Sequence, residues 1–166
     1  MRDYLTLSLG IHTEIDLRNP TECFGMTGSP AGGRMKWFRC TSFAYADMVS
    51  EPGKEAFGKV FKEFLEEKNY PILFHCIAGQ DRTGAVAFLL NALLGVEEEE
   101  LYLDWEVTGF WNANHAFNHK ERFSQLIRVF REIPGKNYTE KAEAYVKSIG
   151  FSDADIAHFR SLMLEP

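Results

Sequence analysis

The sequence is poor in cysteine, has no excess of basic residues and contains no long apolar run. Its three cysteines, Cys23, Cys40 and Cys76, form no C-x-x-C pair, which argues against a disulfide framework and suits a reducing compartment. No stretch reaches the roughly 18 apolar residues of a membrane-spanning helix. The formal net charge of -6 argues against a nucleic-acid-binding protein and against stable attachment to an anionic membrane.

The first residues, "MRDYLTLSLGIHTEIDLR", do not have the composition of a secretion signal. Together with the unpaired cysteines, this predicts a cytoplasmic protein. The 166 residues suffice for one domain with a buried core, and no repeat or low-complexity segment divides them. We therefore expect a single domain over residues 1–166, and the sequence carries no signal for its oligomeric state.

The spacing of apolar residues predicts an α/β fold, with a small central sheet flanked by helices and a helical C-terminal layer. Strands are predicted over residues 13–17, in "MKWFRC" and in "PILFHC", and the last of these is apolar enough for a central strand. Helical spacing predicts an amphipathic helix over residues 54–68 and a buried helix after Arg82. Residues 96–166 are expected to form about four helical segments, the last capped by Ser152.

Between the third predicted strand and the buried helix lies "HCIAGQDRTG", residues 75–84. A helix N-terminus and the backbone N–H groups of a tight loop lower the pKa of a cysteine thiol, which then becomes a nucleophile. The same N–H groups and the forked guanidinium of Arg82 match the oxygens of a phosphate. This pattern predicts attack by Cys76 on phosphorus, a cysteinyl-phosphate intermediate and its hydrolysis, with no metal or other cofactor.

The neighbouring residues have predicted supporting roles. His75 is expected to orient the loop by hydrogen bonding, and Gly79 to adopt a backbone conformation that a side chain would obstruct. Thr83 is expected to donate its hydroxyl to the sulfur, and Gly84 to let the helix pack closely. The other loop positions are expected to contact the phosphate: Ile77, Ala78 and Gln80.

These residues resemble the protein tyrosine phosphatase signature H-C-x5-R-[ST]. The form "HCxAGxDRTG" is similar to that of bacterial tyrosine phosphatases related to dual-specificity and phosphoinositide phosphatases. The segments "LGIHTEIDLRNPTE", "LLGVEEEELYLDWEVT" and "AYVKSIGFSDADIAHFRSLML" are similar to other parts of that branch. The resemblance implies a phosphatase acting on phosphotyrosine, with dual specificity as an extension, whose substrate is a phosphorylated protein or a small phosphoester.

Two features depart from the pattern of this branch. Relatives begin with a segment containing N-F-R-D-x-G-G, whereas this chain has "MRDYLT", so we expect a domain that lacks part of this N-terminal segment. Gln80 stands where lysine is frequent in lipid-active relatives, which weakens the case for multiply phosphorylated inositol head groups. Two alternatives stay open: a phosphoinositide or inositol-phosphate phosphatase with the same site, and a phosphate-binding module without turnover.

The leaving oxygen of the substrate needs a proton from a general acid, and the sequence offers two candidates. Asp81, directly before Arg82, is the acid that the resemblance implies. Asp47 follows the second predicted strand, where many tyrosine phosphatases keep a mobile acid loop. Both are predicted catalytic residues.

Overall fold

A three-stranded parallel sheet lies at the centre of the protein. The structure is a computed structural model that describes residues 4–32, 35–107 and 113–165, without the side chains of residues 113–120 and 122. The strands of the sheet are β1 (Thr13–Asp16), β2 (Lys36–Arg39) and β3 (Ile72–His75), in the order β2-β1-β3. Asp16 pairs with Arg39 on one side and with His75 on the other. The three strands therefore end at the same level, and the predicted small α/β sheet is confirmed.

The middle strand is β1, so the prediction that the apolar segment "PILFHC" forms the central strand is wrong. Among the described residues β3 pairs with β1 alone, and its four residues are half-buried, whereas all four residues of β1 are buried. Helices also cover the outer strand, since the ring of Phe74 in β3 lies 5.7 Å from that of Phe64. An apolar run therefore does not distinguish the middle of this sheet from its edge.

The helices are α1 (Glu51–Phe64), α2 (Asp81–Leu93), α3 (Glu98–Val107), α4 (Ala113–Arg131), α5 (Tyr138–Ser148) and α6 (Asp153–Met163). The last four form the predicted C-terminal layer. Short helical turns span Tyr4–Ser8, Pro20–Cys23, Tyr45–Val49 and Glu67–Asn69. Within the described part of the chain, none of the helices has both the length and the apolar character needed to cross a bilayer.

Two helices begin earlier than the sequence predicted. Helix α1 begins at Glu51 because Ser50 caps it, accepting the Gly53 N–H at 3.2 Å. Helix α2 begins at Asp81, so the last residues of the predicted loop form the first turn of the helix. Asp81 and Arg82 are thereby held on a helix and not on a flexible connection.

Aromatic side chains connect the helices to one another. The ring of Phe61 in α1 lies 5.3 Å from that of Phe159 in α6, and Phe88 in α2 lies 5.2 Å from Phe130 in α4. Helix α2 is buried as predicted, with Leu89 among its fully buried residues. These contacts pack α1 against α6 and α2 against α4, and the predicted loop joins β3 to the start of α2.

Candidate active site

The thiol of Cys76 lies directly after β3, at the base of the loop that leads into α2. It is 6% exposed, and this burial opposes ionisation. Hydrogen bonds from the Thr83 hydroxyl and from the backbone N–H groups of Thr83, Gln80 and Gly79 outweigh the burial and lower the pKa of Cys76 below its ordinary value. The loop therefore favours the thiolate, the form that acts as a nucleophile.

Small residues and one hydroxyl shape this loop. Gly79 has a φ of +67°, which lies in the left-handed region that a side chain disfavours. The buried Thr83 hydroxyl has no nitrogen or oxygen partner among the described residues, which leaves it for the sulfur. A Cβ on Gly84 would lie 2.6 Å from Cζ3 of Trp105, so only glycine lets Trp105 pack against the first turn of α2.

Arg82 is held beside Cys76 by an ion pair with Glu22. Nη1 of Arg82 donates to Oε2 of Glu22 at 2.6 Å, and Nη2 donates to Oε1 at 2.9 Å. The pair raises the pKa of Arg82 and lowers the pKa of Glu22. Cys76 also raises the pKa of Arg82, so Glu22 holds a forked cation close to the thiol.

Glu22 was not assigned a role from the sequence, although a local signal marks it. Asn19 and Glu22 form a capping box at the Pro20–Cys23 turn: the Glu22 N–H donates to Asn19 Oδ1 at 3.0 Å, and the Asn19 N–H donates to Glu22 Oε2 at 2.8 Å. The spacing of the capping box is visible in "NPTE". The turn thus orients the carboxylate that binds Arg82.

His75 joins the loop to a buried carboxylate of the middle strand. Its Nδ1 lies 2.8 Å from the carbonyl oxygen of Cys76, and its Nε2 lies 2.9 Å from Oε1 of Glu14. A carbonyl only accepts hydrogen bonds, so Nδ1 carries a proton. The bond to Glu14 raises the pKa of His75, which favours a proton on Nε2 as well. His75 therefore ties the base of the loop to β1.

The acidic and histidine side chains at this end of the sheet lie within metal-ligating distance of one another. Glu14, Asp16 and His75 each offer a ligand atom, and these atoms lie within 4.8 Å of one another. Both oxygens of Asp16 accept from Arg18, at 2.8 and 2.7 Å, and Glu14 accepts from His75 and from the Ser29 hydroxyl. Since protein donors already occupy these oxygens, the cluster fits a hydrogen-bonded brace under the loop better than a metal site.

The two candidate acids have different surroundings. Asp81 is the first residue of α2, next to Arg82, and its Oδ1 accepts a hydrogen bond from the hydroxyl of Tyr45. Asp47 is exposed in the Tyr45–Val49 turn, where its carbonyl accepts the N–H of Ser50 at 3.1 Å. No contact among the described residues joins the Asp47 carboxylate to the loop. The structure therefore places Asp81 next to Arg82 at the start of α2, and it places Asp47 in the turn that precedes α1.

The remaining predicted contacts form the outer part of the loop. Ile77, Ala78 and Gly79 are exposed, and Gln80 is half-buried at the N-cap of α2. The outer face of the loop at these residues is therefore exposed to solvent. A ligand can approach the sulfur from this side.

Comparison with known proteins adds two findings. A family model described as the tyrosine phosphatase family matches residues 2–165 of this chain. A curated relative, a tyrosine-protein phosphatase of Nostoc commune, is 33% identical over 127 residues, which cover 63% of this chain and 42% of the relative. The matched region therefore spans less than half the length of that relative.

Proposed function

The chain belongs to the tyrosine phosphatase family, and from this premise we propose that it is a cysteine-dependent phosphatase that hydrolyses phosphotyrosine. One observation carries the proposal: the donors around Cys76 lower the pKa of its thiol, and Arg82 lies beside the sulfur. A nucleophile and a forked cation at a helix N-terminus are what phosphoryl transfer without a metal requires.

In the first step, the Cys76 thiolate attacks the phosphorus of the bound phosphoester. The S–P bond forms while the P–O bond to the aryl group breaks, and the leaving oxygen takes a proton from the carboxyl group of Asp81. Arg82 and the loop N–H groups bind the non-bridging oxygens as their charge redistributes. The product of this step is a cysteinyl phosphate and a free tyrosine hydroxyl.

In the second step, a water molecule attacks the cysteinyl phosphate. A new O–P bond forms, the S–P bond breaks, and the water gives a proton to the Asp81 carboxylate. The departing sulfur is stabilised as a thiolate by the Thr83 hydroxyl and the backbone N–H groups that lower the pKa of Cys76. Inorganic phosphate leaves, and both residues return to their starting protonation states.

The charges around the loop support a singly phosphorylated substrate. Glu22 already neutralises part of the charge of Arg82, Asp81 adds a carboxyl group, and Gln80 contributes no charge. A multiply phosphorylated head group would need several cations at the same place. Phosphotyrosine in a protein, or a small aryl phosphate, therefore fits this site better than a phosphoinositide.

The test is hydrolysis of p-nitrophenyl phosphate in the presence of a chelator by the wild-type chain, Cys76→Ser and Cys40→Ser. Loss of the nucleophile is expected to lower kcat by about 10⁴-fold or more. Cys40 is a matched control, since it is also buried and directly follows a parallel strand. Cys40→Ser is expected to keep the wild-type rate.

The other outcomes distinguish the alternatives. Equal losses in the two serine variants would contradict the role of Cys76. An inactive wild-type chain that still binds inorganic phosphate would favour the module without turnover. Faster hydrolysis of a soluble inositol phosphate than of a phosphotyrosine peptide would contradict the substrate class and favour the phosphoinositide alternative.

A further inference from the structure

Tyr45 makes a contact with Asp81 that the chemistry described above does not use. The tyrosine begins the turn after β2, and its hydroxyl donates to Oδ1 of Asp81. We propose that Tyr45 is the positioning residue of the general acid: it holds the Asp81 carboxyl group so that Oδ2 delivers the proton to the leaving oxygen. The inference rests on the proposed phosphatase function and adds to it a residue from a different loop.

The backbone of Tyr45 is held in an uncommon conformation. Its φ is +55°, and among the described residues only Phe24 is another non-glycine residue with a positive φ. Side chains disfavour this region, so such residues persist where the surrounding structure imposes them, often at functional sites. At Tyr45 this conformation accompanies the contact of the phenol with the start of α2.

Packing around the ring keeps the phenol in place. The ring of Tyr45 meets that of Trp105 edge-on, with centroids 6.0 Å apart and an interplanar angle of 63°. Trp105 is buried and packs against Gly84, in the same helical turn as Asp81. At the other end of the turn, the carbonyl of Met48 accepts the Tyr145 hydroxyl at 2.7 Å. These two contacts restrain the ring of Tyr45 and the end of its turn.

The hydrogen bond also decides which oxygen of Asp81 carries the proton. A neutral carboxyl group has one accepting oxygen and one protonated oxygen. A tyrosine hydroxyl that donates to Oδ1 makes this oxygen the acceptor, so the transferable proton lies on Oδ2. Loss of the phenol removes this preference for Oδ2, and proton transfer is expected to become less frequent.

The test compares kcat for two substrates in the wild-type chain, Tyr45→Phe, Asp81→Asn and the double variant. Phenyl phosphate has a poor leaving group that needs the acid, whereas p-nitrophenyl phosphate has a good one that needs it little. Asp81→Asn is expected to lower kcat for phenyl phosphate by about 10²-fold or more, and Tyr45→Phe by about tenfold, with smaller losses for p-nitrophenyl phosphate. In the Asp81→Asn background, Tyr45→Phe is expected to cause no further loss.

Tyr70→Phe is the control for loss of a tyrosine hydroxyl, since that hydroxyl donates to the Phe64 carbonyl at 2.7 Å, and it is expected to leave both rates unchanged. Losses that multiply in the double variant, or that are equal for the two substrates, would overturn the positioning role. A larger loss in Tyr45→Phe than in Asp81→Asn would overturn it too, because Tyr45 would then be the proton donor. A wild-type chain inactive on both substrates would overturn the phosphatase function itself.

Discussion

Cys40 and Cys76 occupy equivalent places in the sheet, yet only one of them has the surroundings of a nucleophile. They directly follow Arg39 and His75, the two partners of Asp16, and their exposures are 8% and 6%. Burial raises the pKa of Cys40, whereas hydrogen bonds lower the pKa of Cys76. Position in the sheet and burial therefore do not explain why the pKa of one thiol is raised and that of the other lowered.

The difference comes from the hydrogen-bond partners of each sulfur. The Cys40 thiol donates to the carbonyl oxygen of Ala56 at 3.6 Å, and an acceptor stabilises the neutral thiol. The Cys76 sulfur instead faces hydroxyl and N–H donors, which stabilise the thiolate. The cation that acts on Cys40 is Lys59, a single point charge, whereas Cys76 has the forked guanidinium of Arg82. A tight loop before a helix is what turns a buried thiol into a reactive one.

Arg82→Lys replaces the guanidinium beside Cys76 with an ammonium group, which is the kind of cation that acts on Cys40. Because lysine cannot bind two phosphate oxygens with a planar fork, we expect kcat for p-nitrophenyl phosphate to fall by about 10²- to 10³-fold. The measurement is steady-state hydrolysis, with circular dichroism to verify that the variant is folded. A variant within a few-fold of the wild-type rate would show that charge alone, without the fork, suffices at this position.

Thr83→Ala removes one of the donors that distinguish Cys76 from Cys40. The hydroxyl lowers the pKa of Cys76, so its loss must raise that pKa and reduce the thiolate fraction at any pH near the midpoint. We expect the pH midpoint of iodoacetamide alkylation at Cys76, followed by peptide mass spectrometry, to move to higher pH. The profile of Cys40 in the same samples is the control, and an equal shift at both cysteines would contradict a local effect.

The sequence was informative where the chemistry is local. Residues 75–84 contain the cysteine, the arginine and the start of the helix within one short stretch. A strand, a tight loop and a helix in succession are therefore enough to place the cysteine and the arginine close together. The buried character of α2 and the four helices after it also follow from the spacing of apolar residues. These parts of the fold need no knowledge of distant contacts.

The residues that sequence reasoning did not assign depend on long-range contacts. Glu22 is 60 positions from Arg82, Glu14 is 61 positions from His75, and Tyr45 is 36 positions from Asp81. A carboxylate in a strand or a turn is ordinary in a sequence, and only the arrangement of the strands shows what it meets. The choice between Asp81 and Asp47 as the general acid depends on such contacts as well.

The central claim is that the Cys76 sulfur forms a covalent bond to phosphorus during turnover. The direct measurement is acid quench of the wild-type chain with p-nitrophenyl phosphate within the first turnover, followed by mass spectrometry of its peptides. The account predicts a phosphate on the peptide that contains Cys76, and none on any peptide of Cys76→Ser. A phosphate found on another residue, or the same phosphopeptide in Cys76→Ser, would contradict it.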